Sequence, residues 1–384
     1  MSKKLRIICF VTTLGHGGTE RNLVQYCKSI DKTRFAPEVW YLHEAKKNLR
    51  PLLDEAGIST VCLNAPKSFN PIYLLKVARK LKHSGADLIH MFLPSVGYYA
   101  VASRLLFRSK IPMMYSCGGV QLLLPLQGSM MKYGLGRYCY PIVCNGEGVV
   151  DFWRAMNVDE HRLRLIYNGH DLAAVGAAPG RDQQRQQLGL GGNDFVIITV
   201  GRLIETKRHV DLLEACANLD RAENDFQVLI VGDGPCRESL MQKTGQLGLG
   251  NHVQFLGTRE DVIPLVRAAD LFAFPSESEG LPNAVIEAAL CKVPIIAADI
   301  KPVAEVIENG KSGTVVPVHD ADALANAIRA VMANRPQAEQ MAEVAFREAC
   351  LKFDLEQTIG QLEKAYLDAV QGYSGALHRQ VLKS

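Results

Sequence analysis

Short apolar runs alternate with longer amphipathic stretches from one end of the chain to the other. The runs are rich in β-branched residues, as in Leu5–Val11 and Phe195–Val200, and apolar positions in the stretches between them recur at helical spacing. Parallel strands joined by crossover helices produce this pattern, because each strand must be followed by a helix that returns over the sheet. With seven such runs in the first half and six in the second, the sequence predicts an α/β fold with two parallel sheets.

The alternation is interrupted once, between residues 173 and 194. This stretch loses its periodicity and is filled with Ala, Gly, Gln and Arg. We therefore expect an α/β domain over residues 1–172, a linker over 173–194 and a second α/β domain over 195–354. An amphipathic C-terminal helix and tail over 355–384 is expected to pack across the domain junction.

Composition and cysteine usage narrow the class of protein. Apolar residues make up 48% of the 384 positions and charged residues 22%, which is typical of a globular chain and excludes disordered, collagen-like and coiled-coil classes. The ten cysteines form no CxxC pair and no zinc-binding spacing, which indicates reduced thiols. The apolar run Ile7–Val11 is too short for a signal peptide, and no stretch has the pattern of a membrane span. We expect a cytoplasmic protein.

Charge is divided unevenly between the two halves. Residues 1–180 hold 23 Lys and Arg against 12 Asp and Glu, whereas residues 181–384 hold 20 against 28. This asymmetry favours an anionic partner for the first half, although a chance imbalance on solvated faces gives the same counts. Because the clustered aromatics and basic loops of nucleic-acid binders are missing from the sequence, we expect no nucleic-acid partner.

Ligands of open parallel sheets bind beyond the carboxyl ends of the strands, so polar residues at these places are the candidates for chemistry. Gly17 and Gly18 lie in a glycine-rich turn after the first strand, where backbone N–H groups can approach a phosphate or a sugar. Arg202 and Lys207 follow the strand Phe195–Val200. Two cations at this position can neutralise a diphosphate without a divalent metal.

Two glutamates frame another candidate site. Glu279 lies in the loop after the strand Leu271–Phe274, and Pro282 with Asn283 predicts the start of the helix that contains Glu287. The N–H groups of the first helical turn would then face a ligand beside Glu279. The combination of strand, loop, helix start and paired acids indicates a binding site rather than a chance spacing.

Two other features have structural interpretations. His90 ends a central strand, where a lone histidine is either a packed core residue or a group that faces the same cleft as the other candidates. Asp320 and Asp322 have the spacing of a metal-binding pair but precede an Ala-rich helix, and we interpret them as an N-cap. The chain has no Walker lysine loop, HExxH or GxSxG, which removes support for nucleotide hydrolysis, zinc proteolysis and α/β-hydrolase chemistry.

Taken together, residues 17–22, Arg202 with Lys207, Gly257, the Glu279–Glu287 pair and residues 305–313 resemble glycosyltransferase family 4. The resemblance covers nearly the whole chain. It implies the GT-B fold, in which two Rossmann-like, doubly wound domains face each other across a cleft. It also implies sugar transfer from a nucleotide-diphosphate donor with retention of anomeric configuration, and with no metal or other cofactor.

The resemblance implies a role for each candidate residue. Arg202 and Lys207 would bind the donor diphosphate, Glu287 the ribose hydroxyls and Glu279 the hydroxyls of the transferred sugar. The other implied contacts are Gly17 and Gly18 with the phosphate or the acceptor, His90 with the donor sugar, Leu256 and Gly257 near the base, Gly280, Leu281, Pro282 and Asn283 around the distal phosphate, and Glu305 near the sugar-nucleotide pocket. The chain departs from the family at Cys117-Gly118-Gly119, where relatives often carry a His or an Asn.

The implied reaction moves a hexose or N-acetylhexosamine from a UDP- or GDP-linked donor to a glycan or lipid-linked acceptor in cell-surface polysaccharide biosynthesis. It would proceed by a front-face displacement. Lys76, Arg79 and neighbouring cations, with the apolar segments Leu122–Leu126 and Met130-Met131, would suit peripheral contact of the first domain with an anionic membrane. A nucleotide-sugar 2-epimerase and a non-catalytic nucleotide-sugar-binding protein are the alternatives.

Overall fold

The computed structural model describes residues 3–15, 17–45, 48–66, 68, 70–119, 128–191, 194–219 and 226–381. The chain divides into two compact units. The first unit combines residues 1–169 with residues 356–384, and the second consists of residues 170–355. The chain therefore leaves the first unit, builds the second and returns to the first.

The first unit is built on a seven-stranded parallel sheet with the order β3-β2-β1-β4-β5-β6-β7. Its strands are β1 (Leu5–Thr13), β2 (Phe35–His43), β3 (Thr60–Cys62), β4 (Leu88–Met91), β5 (Met113–Cys117), β6 (Ile142–Cys144) and β7 (Leu163–Leu165). Cys9 of β1 pairs with Val39 on one side and with His90 on the other. The strand order reverses at β1 and β4, which is where ligands bind in open α/β sheets.

The second unit repeats this plan with six parallel strands in the order β10-β9-β8-β11-β12-β13. The strands are β8 (Phe195–Val200), β9 (Phe226–Val231), β10 (Val253–Gly257), β11 (Leu271–Phe274), β12 (Ile295–Ala298) and β13 (Thr314–Val316). The order reverses between β8 and β11. Two parallel sheets of seven and six strands confirm the fold class expected from the apolar runs.

Helices cover the faces of both sheets, because a parallel strand is buried on both sides. In the first unit they are α1 (Gly18–Ser29), α2 (Arg50–Glu55), α3 (Pro71–Lys82), α4 (Pro94–Phe107) and α5 (Glu147–Ala155). Those of the second unit are α6 (Leu172–Ala177), α7 (Arg181–Gln187), α8 (His209–Ala217), α9 (Arg237–Gln246), α10 (Val262–Arg267), α11 (Asn283–Leu290), α12 (Ala321–Ala333) and α13 (Arg335–Lys352). The last helix is α14 (Leu355–Val381).

Alternate residues of β1 enter two different cores. Ile8 and Phe10 pack on one face of the first sheet, and Ile7 and Cys9 pack on the other. Four residues of α14 join the second of these cores, namely Leu362, Ala365, Tyr366 and Ala369. The described part of the C-terminal helix is thus fixed to the first unit by burial of its apolar stripe.

The stretch predicted as a linker, residues 173–194, is part of the second unit. It holds most of α6 and all of α7, and Asp171 caps α6 by accepting a hydrogen bond from the Ala174 N–H at 2.9 Å. Arg181 donates to the carbonyl of Ala269 at 2.7 Å, which ties α7 to the end of α10. The stretch lacks a regular apolar period because buried arginine contacts, rather than an apolar stripe, hold its helices in place.

Of the two apolar segments that we expected to contact a membrane, the described residues include Met130-Met131. A π-helical turn over Met130–Leu135 places Met131 in the core of the first unit, and Met130 packs against the same core. The expectation that these two methionines face a membrane is therefore wrong. The segment Leu122–Leu126 lies outside the described residues. None of the described helices has the length and apolarity needed to cross a bilayer.

Candidate active site

The second unit brings Lys207 and Glu279 together. Lys207 ends a one-turn 3-10 helix after β8, and Glu279 lies in the loop after β11, the neighbouring strand. The Lys207 ammonium and the Glu279 carboxylate form a short ion pair with side chains only 17% and 12% exposed. The ammonium also lies 5.5 Å from the centre of the Phe274 ring. Two charges predicted from separate motifs thus meet at the carboxyl edge of the sheet.

The loop that carries Glu279 is anchored to the loop that carries Lys207. The Ser276 hydroxyl and the Glu277 N–H both donate to the carbonyl of Thr206, at 3.2 and 3.0 Å. Ser276 is buried, so this double contact is shielded from water. The Lys207–Glu279 pair is therefore held in place by its supporting backbone, a condition that effective electrostatic sites require.

The turn at Gly201 is supported by the end of β9 and the loop that follows it. The N–H groups of Gly201 and Leu203 donate to the carbonyls of Val231 and Asp233, each at 3.0 Å. A Cβ on Gly232, whose φ is +135°, would lie 1.9 Å from the Gly201 carbonyl oxygen. This supporting turn was not among the features predicted from the sequence. Its signal was the Gly-Asp-Gly-Pro run after β9, which is a strong turn sequence.

Arg202 is exposed beside this turn, and no carboxylate among the described residues pairs with it. Its carbonyl lies 3.3 Å from Nε2 of His209, which is buried. Burial lowers the pKa of His209 to about 4, so the imidazole is neutral near pH 7. Arg202 and Lys207 are consequently the cations at this turn that are available to an anionic ligand.

The helix predicted to start at Asn283 does so, with Pro282 as its N-cap. Leu281 and Pro282 are buried, Gly280 is half-buried, and the Val285 N–H donates to the Pro282 carbonyl at 2.9 Å. Glu287 is half-buried one turn into α11. The structure therefore gives this segment the helix start that the sequence predicted beside Glu279.

Leu256, Gly257 and Glu305 lie at the same carboxyl edge of the second sheet. Gly257 ends β10 in the left-handed region, with φ +66°, and its carbonyl accepts from the Gly232 N–H at 2.8 Å. Leu256 is half-buried where the β9–β10 register shifts. Glu305 lies in the turn after β12, and a cavity of about 560 Å³ opens beside it, lined by Ala304 among others. The residues assigned by resemblance to the base and to the sugar-nucleotide pocket thus lie at the edge expected for a ligand.

In the first unit, Gly17 forms the N-cap of α1, and the Glu20 carboxylate folds back onto it. A Cβ on Gly17 would lie 2.3 Å from Oε2 of Glu20. Burial raises the pKa of Glu20, against the lowering effect of hydrogen bonds from its own N–H and from Thr13. The Glu20 carboxylate already interacts with the partial positive charge of this helix N-terminus. A hydroxyl ligand therefore fits the turn better than a phosphate does.

His90 lies inside the core of the first unit. It is fully buried, its Nδ1 lies 2.9 Å from the Tyr366 hydroxyl and its Nε2 lies 2.7 Å from the Ser116 hydroxyl. Burial lowers the pKa of His90 to about 3. This position is the packed-core alternative of the two that the sequence left open, and the contact of this imidazole with a donor sugar stays a prediction. A neutral imidazole with both nitrogens bonded satisfies its burial cost.

The departure at Cys117-Gly118-Gly119 follows β5 at the carboxyl edge of the first sheet. Cys117 is buried, and burial raises the pKa of its thiol. The Asn145 amide donates to the Gly118 carbonyl at 3.3 Å, while its buried Oδ1 has no partner among the described residues. Asn145, which directly follows β6, was missed in the sequence and supplies an amide at this edge.

The metal-like acid pair is structural. Asp320 accepts from the Ala323 N–H at 2.8 Å and caps α12, and Asp322 accepts from the Asn218 amide at 2.8 Å. This confirms the N-cap interpretation. Within the described ranges, no three His, Cys, Asp or Glu side chains are grouped in a way that could hold a metal ion. All ten cysteines are free thiols.

Both halves of the chain match known protein families. Residues 16–174 match the family described as Glycosyltransferase Family 4, and residues 180–348 match the one described as Glycosyl transferases group 1. These two matches divide the chain near the boundary between its two units.

Similar curated proteins carry glycosyltransferase names. The D-inositol 3-phosphate glycosyltransferase of Mycolicibacterium smegmatis is 32% identical over 226 residues, covering 56% of this chain and 50% of that protein. EpsF of Bacillus subtilis, a glycosyltransferase by name, is 31% identical over 215 residues, covering 55% of this chain and 54% of that protein. The chain spans about half the length of the curated relatives it matches.

Solved structures share the fold of the chain at low sequence identity. HepE of Anabaena, solved in complex with UDP and glucose, superposes with a TM-score of 0.82, at 23% identity over 94% of this chain and 98% of that one. WaaG, described as a glycosyltransferase involved in lipopolysaccharide biosynthesis, has a TM-score of 0.76 at 18% identity over 95% of this chain and the whole of that one. This likeness confirms the expected two-domain α/β fold of the GT-B type. With a family match in each half and this fold, the chain belongs to the glycosyltransferases of family 4.

Proposed function

We propose that this protein transfers a hexose or N-acetylhexosamine from a UDP- or GDP-linked donor to a glycan or lipid-linked acceptor, with retention of anomeric configuration. The proposal places the reaction in cell-surface polysaccharide biosynthesis. The observation that carries it is the shielded Lys207–Glu279 ion pair at the carboxyl edge of the second sheet. Two further structures of HepE, described as complexes with UDP and with UDP-glucose, support a nucleotide-sugar donor.

The ion pair suits a ligand that is both anionic and hydroxylated. A diphosphate oxygen can replace Glu279 as the partner of the Lys207 ammonium, and a sugar hydroxyl can replace Lys207 as a donor to the carboxylate. Both charges then remain paired when the ligand is bound. An unpaired charge in a site shielded from water would be costly. Arg202 adds a second cation to the leaving diphosphate.

In the proposed reaction, the bond between the anomeric carbon and the donor phosphate oxygen breaks, and the acceptor hydroxyl attacks from the same face. The leaving phosphate oxygen takes the acceptor proton. Lys207, Arg202 and the N-terminus of α11 stabilise the negative charge that develops on the leaving group. We propose that this stabilisation needs no metal and no other cofactor.

The donor proposal is tested by thermal shift and donor turnover with UDP-, GDP-, ADP- and dTDP-sugars, with and without EDTA. A true donor at 100 times its Kd stabilises the protein by about 2.7 kcal/mol. Stabilisation by one nucleotide family that survives EDTA is the expected result. Conversion of donor alone into an epimeric nucleotide sugar would identify an epimerase, and binding without turnover on any acceptor would identify a binding protein. Retention is read from the anomeric configuration of the product by NMR.

We further propose peripheral contact of the first unit with an anionic membrane. The exposed apolar side chains of Ile72 and Leu75 on α3 and of Leu105 and Leu106 on α4 share these neighbouring helices with exposed cations. The exposed cations are Lys76, Arg79, Lys80, Lys82 and Arg108, with Lys110 just after α4. Apolar side chains beside basic ones are the pattern of interfacial helices.

Flotation with vesicles tests the membrane proposal. We expect binding to anionic vesicles at low salt, weak binding to neutral vesicles, and loss of binding on Leu105→Glu with Leu106→Glu. Met241→Glu, at an exposed apolar position of the second unit, is the matched control. Equal flotation of all three proteins would overturn the proposal.

A further inference from the structure

A second cavity in the second unit lies away from the candidate active site. Its volume is about 660 Å³, and it is lined by Phe195, Asp270 and Pro294. Phe195 begins β8, Asp270 directly precedes β11 and Pro294 directly precedes β12. Parallel strands have their amino ends at one edge of the sheet, so this cavity opens at the edge opposite to Lys207 and Glu279.

The walls of the cavity are largely apolar. They come from α6, α11, α12 and α13, through Leu172, Val175, Leu290, Val331, Ala338 and Phe346. The volume lies within the range of about 300–1,000 Å³ that small-molecule sites occupy. The cavity is therefore large enough for an organic ligand with an apolar body.

Cations outnumber carboxylates around Asp270, which lines this cavity. Three guanidinium groups surround the Asp270 carboxylate, from Arg181 at 2.5 Å, Arg185 at 3.2 Å and Arg335 at 3.7 Å. The same carboxylate accepts a hydrogen bond from the Val196 N–H at 2.8 Å. One carboxylate thus faces three guanidinium groups, which leaves a local surplus of two positive charges.

The remaining charged residues on the cavity do not change this balance. Arg267 donates to the carbonyls of Ala178 and Val175, at 2.8 and 2.6 Å. Lys292 pairs with Glu343 at 2.9 Å, and Glu339 adds one acid to the wall. The positive charge of Arg267 is balanced by the negative charge of Glu339, and that of Lys292 by Glu343.

Fold stability accounts for two of the three arginines around Asp270. Arg181 and Arg185 also donate to backbone carbonyls, at Ala269 and Ala268, and so anchor α7. Arg335 makes no hydrogen bond with the described residues; it lies over the Phe195 ring at 5.1 Å, with its side chain 48% exposed. Of the three arginines around Asp270, Arg335 is therefore the one that a ligand can reach without disrupting the anchor of α7.

We propose that this cavity binds a phosphate monoester carried on a short apolar chain. The phosphate carries about −1.5 to −2 charges near pH 7, which matches the surplus of two. Arginine binds phosphate oxygens in a fork, and the apolar walls take the chain. This site is independent of the donor site and of the proposed transferase reaction.

Isothermal titration with monomeric octyl phosphate tests the site, with inorganic phosphate and octanol as probes for each half of the ligand. We expect octyl phosphate to bind at least tenfold more tightly than either probe. Arg335→Gln should weaken octyl phosphate about tenfold and leave octanol unchanged. Arg347→Gln on the same helix, which does not line the cavity, is the matched control.

A second readout uses the half-buried Cys350, which lines the cavity. In the wild type, octyl phosphate should slow the reaction of this thiol with a colorimetric thiol reagent, and a Cys350→Ser variant gives the contribution of the other cysteines. Saturating UDP should not displace octyl phosphate from the cavity. Equal affinity for octyl phosphate and octanol, equal affinity for octyl phosphate and phosphate, or insensitivity to Arg335→Gln would each overturn the proposal. Displacement by UDP would place the probe in the nucleotide site instead, and would also overturn it.

Discussion

The carboxyl edges of the two sheets follow the same strand plan but hold their polar groups in opposite ways. In the second unit, Lys207 and Glu279 are half-buried and ion-paired, and hydrogen bonds between their two loops hold them in place. In the first unit, the Glu20 carboxylate lies against Gly17. His90 is buried, with its two ring nitrogens hydrogen-bonded to Tyr366 and Ser116. The second unit therefore presents a formed charged site, whereas the first presents backbone, hydroxyl and amide groups.

Under the proposed function, this difference would divide the tasks of a two-substrate reaction between the two units. The loops of the second unit would supply the fixed positive charge that a leaving diphosphate needs. Glu20 and Asn145 of the first unit would offer hydrogen-bonding groups to an acceptor hydroxyl. Four measurements test this difference between the units.

Removing the ion pair should have the largest effect. Lys207→Ala should lower turnover of the donor by about 10²–10³-fold, the usual cost of one preorganised electrostatic contact. Glu279→Gln should fall in the same range. Steady-state kinetics with the identified donor measure both. Lys243→Ala removes an exposed pair with Glu214 at 2.7 Å in the same unit and should leave the rate unchanged. Normal turnover by Lys207→Ala would show that the charged site is not the reaction centre.

Gly232→Ala should be the most destabilising of the small substitutions. The added Cβ would meet the Gly201 backbone oxygen, and φ +135° is strained for alanine, so the free energy of unfolding should fall by roughly 3 kcal/mol. Urea unfolding measures it. Gly250→Ala in the same unit, with open space at its Cβ, is the control. A change below about 1 kcal/mol would show that the brace under Gly201 yields easily.

Acid should weaken the second unit more than the first. The pKa of His90 is lowered to about 3, and those of His170 and His209 to about 4. Below the ordinary histidine pKa of about 6.5, these imidazoles bind protons in the unfolded chain but stay neutral in the folded protein. The free energy of unfolding therefore falls as the pH falls. Between pH 6.5 and 5 each histidine should cost roughly 2 kcal/mol.

The two units can be followed separately in this experiment. Both tryptophans, Trp40 and Trp153, lie in the first unit, so their fluorescence reports its unfolding, while far-UV circular dichroism reports both units. His209→Asn should reduce the acid sensitivity of the second unit and leave the fluorescence transition unchanged. An identical pH dependence of the two transitions would contradict this assignment.

Gly17→Ala should have the smallest effect, although its Cβ would also meet an atom closely. The obstacle here is the end of the flexible Glu20 side chain, and φ at Gly17 is −73°, which alanine adopts freely. We expect a loss of about 1 kcal/mol in stability, because alanine is a poorer N-cap than glycine. Urea unfolding, followed by tryptophan fluorescence, measures it. A loss as large as that of Gly232→Ala would show that Glu20 is fixed in place.

The apolar pattern of the sequence was sufficient to predict the α/β class and the two tandem sheets, whereas the roles of the second-unit residues stay predictions. Strands buried on both faces leave apolar runs that can be counted, and Lys207 and Glu279 lie in the segments that follow two of them, at the same edge of the sheet. Asp320 was also identified from the sequence as the N-cap of a helix, because capping depends on neighbours in the chain.

The accessibility of the remaining residues depends on contacts made in the folded protein. His90 reads as a site residue by position, but Tyr366, 276 residues later, buries and bonds it. The stretch at 173–194 reads as a linker because the arginine contacts that fix it, to carbonyls near residue 269, leave no local period. Burial and long-range hydrogen bonding depend on residues distant in the chain, and no local pattern encodes them.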